Sequence, residues 1–104
     1  MDYFLTISDE ASANIKSTVD YLKREWSEKS VLKFKDELIR CFDSIVASPE
    51  SFLLMDAKLG IRKCKASKYG SAYYRVREDE IEIITFFDHR RDPERLKEVF
   101  ERLK

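Results

Sequence analysis

The segment EIEIITFFDHRRDPERL, residues 80–96, decides the fold. Its first half, EIEIITFF, becomes apolar at nearly every position towards its end, as expected of a strand in the middle of a sheet with both faces covered. Asp92 followed by Pro93 then marks a helix start. The carboxylate accepts a free backbone N–H, and proline at the first helical position gives up no needed donor. Leu96, Val99, Phe100 and Leu103 follow at i, i+3, i+4 and i+7, one apolar stripe along that helix. Phe86, Phe87, Asp92 and Pro93 are thus structural, and His89, Arg90 and Arg91 are left at the corner as candidates for function.

Upstream, SAYYRV at 71–76 is joined to this strand by the short polar link Arg77-Glu78-Asp79, which favours an antiparallel hairpin. GIRKCKA near 60–66 reads as a further strand, and ESFLLMDAKLG before it as a loop. Pro49 disfavours helical geometry at Ser48 and so ends the helix preceding that loop. That helix starts at Ser27 and carries Val31, Phe34, Leu38, Phe42, Ile45 and Val46 at steps of mostly three or four. An earlier helix, capped by Ser8 or Asp9, repeats Ala11, Ile15, Val19, Leu22 and Trp26 in the same way. So short a break between two amphipathic helices predicts an antiparallel hairpin. Tyr3 to Ile7 reads as a first strand. The predicted fold is therefore α+β: N-terminal strand, antiparallel helix hairpin, three-stranded antiparallel meander and C-terminal helix, a single domain over residues 1–104.

With 43% hydrophobic and 38% charged residues, the chain has material for a core beneath a charged surface. No run approaches a membrane span and no signal segment opens the sequence, so a cytoplasmic protein with no membrane contact is expected. Two isolated cysteines, Cys41 and Cys64, and one histidine give neither a disulfide framework nor a zinc constellation; the expectation is packing thiols, no metal and no cofactor. The zero net charge conceals an asymmetry: residues 1–57 hold 7 basic and 11 acidic side chains, residues 58–104 hold 13 and 9. Lys58, Arg62, Lys63, Lys65, Lys68, Arg75 and Arg77 follow one another without an intervening acid. Such a patch suits phosphate or an acidic protein partner, and equally a solvated sheet face.

Nucleophilic catalysis by Cys64 with His89 lacks a third, orienting group. Phosphodiester chemistry fits the residue types better, since arginines clamp phosphate and a histidine moves a proton near neutral pH. The available groups are Arg62, Arg75, His89, Arg90 and Arg91, each of which has a plain alternative in facing solvent or pairing with a nearby acid.

The order of elements, with GIRKCKASKYGSAYYRVREDEIEIITFFDHRRDPERL, resembles the RelE/ParE superfamily of type II toxin–antitoxin toxins, also called plasmid stabilisation proteins. The most specific pieces are the YYRV strand ending at Val76, the acidic-tipped hairpin and the His-Arg-Arg-Asp corner. The resemblance implies a sheet flanked by a helix hairpin, a cognate antitoxin as partner, and either a homodimer or a toxin–antitoxin hetero-oligomer. It also implies one of two activities: inhibition of DNA gyrase, as in ParE-like members, or ribosome-dependent mRNA cleavage, as in RelE-like ones. For a nuclease, the resemblance places Arg62 at a strand lysine position and Arg91 at the arginine after the last strand; Arg75 would join them on the scissile phosphate, with His89 as the proton-transfer group. Cys64, Ser71 and Lys97 stand where a second lysine, a strand arginine and a C-terminal tyrosine would be expected, and the His-Arg-Arg-Asp corner looks like ParE. Lys63, Lys65, Tyr73 and Arg90 are then the expected contacts for target or antitoxin. An inactive toxin that still binds its antitoxin is a third possibility.

Overall fold

Three side-chain caps set the helices. The computed structural model describes residues 2–104. Ser8 Oγ accepts from the Ala11 amide at 3.0 Å and opens α1, Asp9–Glu25. Ser27 does the same for Ser30 at 3.2 Å and opens α2, Glu28–Ala47, and Asp92 accepts from Glu94 to open α3, Pro93–Arg102. Beyond α2, Pro49 begins a single 3₁₀ turn, Pro49–Ser51.

The strands are β1 Phe4–Ile7, β2 Leu53–Asp56, β3 Ile61–Ser67, β4 Gly70–Arg77 and β5 Glu80–Asp88. They form one sheet in the order β1-β5-β4-β3-β2, antiparallel except that β1 runs parallel to β5. The α+β class and the element order match the expectation, with two differences. Leu53–Asp56, expected within a loop, is an edge strand on β3. Its apolar residues are exposed on both faces, so it carries no alternation from which a strand could be read. This extra strand also moves the centre of the sheet to β4, leaving EIEIITFF one place from the edge, though still paired on both sides.

A bulge in β5 explains why that segment lacks a period of two. Tyr73 lies opposite Thr85 and Tyr74 opposite Ile83, so Ile84 is an extra residue. Ile81 and Ile83 pack beneath the helix hairpin, and three residues later Phe86 does too. The bulge thereby turns Asp88 towards α1.

The hairpin face holds most of the core. Ala11, Cys41, Ile45, Cys64, Ala72 and Tyr74 pack with Ile81 and Ile83, and beside them Leu22, Val31, Phe34 and Leu38 surround Phe86. Tyr74 closes the far end by donating its hydroxyl to the Pro49 carbonyl at 2.5 Å. On the opposite face Ile61, Tyr73 and Ile84 are covered by Leu96, Val99, Phe100 and Leu103 along α3. Gly70 sits where a Cβ would meet the Phe86 ring and lie 2.8 Å from the Phe87 carbonyl oxygen, so a larger residue there would push the two strands apart.

Candidate functional site

Asp88, the last residue of β5, anchors the corner. Its carboxylate is nearly buried and accepts from the Arg90 amide at 2.9 Å, from Arg90 Nε at 2.9 and 3.2 Å, from Arg90 Nη2, and from the Thr18 hydroxyl at 3.4 Å. Burial pushes Asp88 up, but the Arg90 hydrogen bonds and the charges of Arg90 and Arg91 bring it net below the ordinary carboxylate value. The same hydrogen bond raises Arg90, whose guanidinium also lies 3.6 Å from the Tyr21 ring centroid. Arg90 is thus fixed against α1 by an acid and an aromatic ring.

His89 turns the other way. Its amide donates to the Tyr69 carbonyl at 2.8 Å, and its ring spans the Lys68 carbonyl, 3.1 Å from Nδ1, and the Ser71 hydroxyl, 2.9 Å from Nε2. A carbonyl only accepts, so in the neutral ring Nδ1 carries the proton and Nε2 accepts from Ser71. Arg91 points in a third direction, into a cleft of about 120 Å³ between α1 and α3 that is also lined by Asn14, Thr85, Arg95 and Arg102. Across this cleft Arg102 pairs with Glu10 at 2.7 Å.

The strand cations are divided between the two faces. Arg62 lies opposite Tyr74, on the hairpin side, and donates to the Phe52 carbonyl at 2.8 Å. Arg75 follows Tyr74 in β4 and therefore faces the α3 side, where it pairs with Glu82 at 2.9 Å. Lys63 and Lys65 share the α3 side with Tyr73 and Ser71, and among the described residues neither has an ion-pair partner. Tyr73 is buried against Phe100, ring centroids 5.8 Å apart, so it packs beneath α3 instead of projecting into solvent. Two pairs of the side chains proposed for phosphate chemistry are held apart. Arg62 and Arg75 point to opposite faces, and Ser71, which holds His89, lies four residues along β4 from Arg75, roughly 13 Å at strand spacing.

Sequence reasoning passed over three partners: Tyr21 and Thr18, which hold the corner from α1, and Ser71, which appeared only as a departure from an expected arginine. The acid two residues before Arg90 was the one available signal for that pairing. Among the described residues no group of three or more His, Cys, Asp or Glu is placed to hold a metal ion, and no helix is long and apolar enough to cross a membrane. Exposed apolar side chains gather on α2, with Leu32 and Ile39, and on β2, with Leu53, Leu54 and Met55.

A five-stranded sheet carrying a helix hairpin on one face is consistent with the RelE/ParE fold. A solved chain from the chromosomal ParDE TA system of P. aeruginosa is similar in structure, with a TM-score of 0.71 at 17% sequence identity over 83% of this chain and 95% of that one. The model of the family described as ParE toxin of type II toxin-antitoxin system, parDE, matches residues 5–93, and the chain belongs to that family. Among curated proteins none matches.

Proposed function

We propose that the protein arrests growth by binding and inhibiting an essential target, DNA gyrase in this reading, and that a cognate antitoxin neutralises it. The observation that carries the proposal is that Arg62 and Arg75 face opposite sides of the sheet while His89 is held at Ser71, four residues along β4 from Arg75, because phosphoryl transfer needs its charge-stabilising groups around one phosphate. Membership of the ParE family supports the same reading. Arg90, held rigidly by Asp88 and Tyr21, and the unpaired Lys63 and Lys65 suit a contact surface better than a reaction centre.

The antitoxin in this reading supplies an acidic, partly apolar segment. The outer edge of β2 has no strand beyond it, so its backbone can pair with an added strand. Leu53, Leu54 and Met55 offer apolar contacts there, and Lys63, opposite Leu53, offers charge.

Induction of the protein alone is expected to stop growth, and co-expression of the adjacent gene product to restore it; growth unchanged on induction would sink the toxin reading. Primer extension on cellular mRNA after induction separates the mechanisms. Intact messages with gyrase-linked DNA breaks are expected, whereas new cleavages within reading frames that vanish in His89→Ala or Arg91→Ala would establish an endoribonuclease instead.

A further inference from the structure

Cys41 of α2 and Cys64 of β3 face each other across the seam between hairpin and sheet. Their Sγ atoms are 3.1 Å apart, with the Cys41 thiol donating to the Cys64 sulfur. The residues are only 6% and 5% exposed, yet both border a surface hollow of about 310 Å³ whose walls include Arg40, Phe52, Lys65 and Ala66. We propose that Cys41 and Cys64 form a reversible dithiol–disulfide modification site, oxidised through this hollow by low-molecular-weight disulfides.

Geometry carries the proposal. A disulfide needs its sulfurs at about 2.05 Å, so these two must close by only about 1 Å. The shared hydrogen bond also assigns different roles to the two thiols: donation from Cys41 lowers Cys64 against the opposing effect of burial, while the same bond and burial raise Cys41.

The chemistry balances in two exchanges. The Cys64 thiolate attacks one sulfur of a small disulfide RSSR, forming Cys64–S–SR and releasing RS⁻. Cys41 then loses its proton to solvent and attacks the Cys64 sulfur, which forms the Cys41–Cys64 bond and expels the second RS⁻. The protein is oxidised by two electrons and the small disulfide is reduced to two thiols. Oxidation would fasten α2 to β3 without changing the fold.

The test equilibrates the reduced, full-length chain with graded ratios of glutathione and glutathione disulfide, followed by acid quench, intact mass and peptide mapping. Expected is a monomer two hydrogens lighter, with the Cys41 and Cys64 peptides linked and the thermal midpoint raised by on the order of 10 °C, all reversed by reductant. Acid quench at early times should find the single glutathione of the intermediate on Cys64 of the native chain, and either Cys41→Ala or Cys64→Ala should stop at one glutathione on the remaining thiol. Two free thiols persisting in the folded chain while the urea-unfolded chain oxidises, or covalent dimers in place of the internal bond, would overturn the proposal. An early mixed disulfide on Cys41 of the native chain would overturn the assignment of Cys64 as the attacking sulfur.

Discussion

On the hairpin face of the sheet, Phe34, Tyr74 and Phe86 are 1%, 0% and 0% exposed, whereas on the opposite face no residue of α3 is fully buried. The first face is sealed by two helices of 17 and 20 residues, the second by one of 10. The difference separates stability from surface. Bulky apolar groups and the two thiols lie under the hairpin, while Lys63, Lys65 and the Arg75–Glu82 pair accompany α3, where a partner can reach them with little disturbance of the core.

The hairpin face should give the largest effects. Phe34→Ala removes a ring that makes edge contacts with both Tyr69 and Phe86, and should cost about 3–5 kcal/mol in urea denaturation. At the corner, Asp88→Asn should cost about 2 kcal/mol, because it removes the charged acceptor of Arg90. The pH dependence follows from the sign of the shift. A carboxylate held below its unfolded value of about 3.9 contributes stability fully above that pH and loses it as pH falls through the folded value. Urea midpoints measured from about pH 6 down to about pH 2 should therefore fall less steeply in the variant than in the parent.

Phe100→Ala, the counterpart of Phe34→Ala on the α3 face, should cost only about 1–2 kcal/mol, since the ring is partly exposed. A loss equal to that of Phe34→Ala would break the contrast between the faces. Glu78→Gly should stabilise by about 0.5–1 kcal/mol, because Glu78 holds φ at 57°, where glycine is unstrained. Smallest of all, Lys65→Gln should leave the thermal midpoint nearly unchanged, within about 0.5 kcal/mol, while weakening capture of the antitoxin at low salt.

What was legible in the sequence was local. Ser8, Ser27, Asp92 and Pro49 are punctuation that acts on the nearest turn of chain, and the structure places the helix ends beside them. Strands with one dry face were equally plain. The edge strand at Leu53 was not, because an exposed edge imposes no alternation, nor was the bulge at Ile84, which turns a period of two into a step of three. The candidate site was legible only as a set of residue types. Whether Arg62 and Arg75 share a face depends on register, and what holds Arg90 depends on Tyr21 and Thr18, about seventy residues earlier, where no sequence period extends.

The parallel pairing of β1 with β5 bears on how the molecule is made. Ser8, just after β1, donates its hydroxyl to Ile84, 76 residues further along the chain, and Thr6 reaches Glu80 across a similar interval. During vectorial synthesis the helix hairpin is complete long before that partner strand emerges, so its apolar stripes wait without a sheet to cover. This seam joins the earliest strand to the latest one, and it can close only after β5 has left the ribosome.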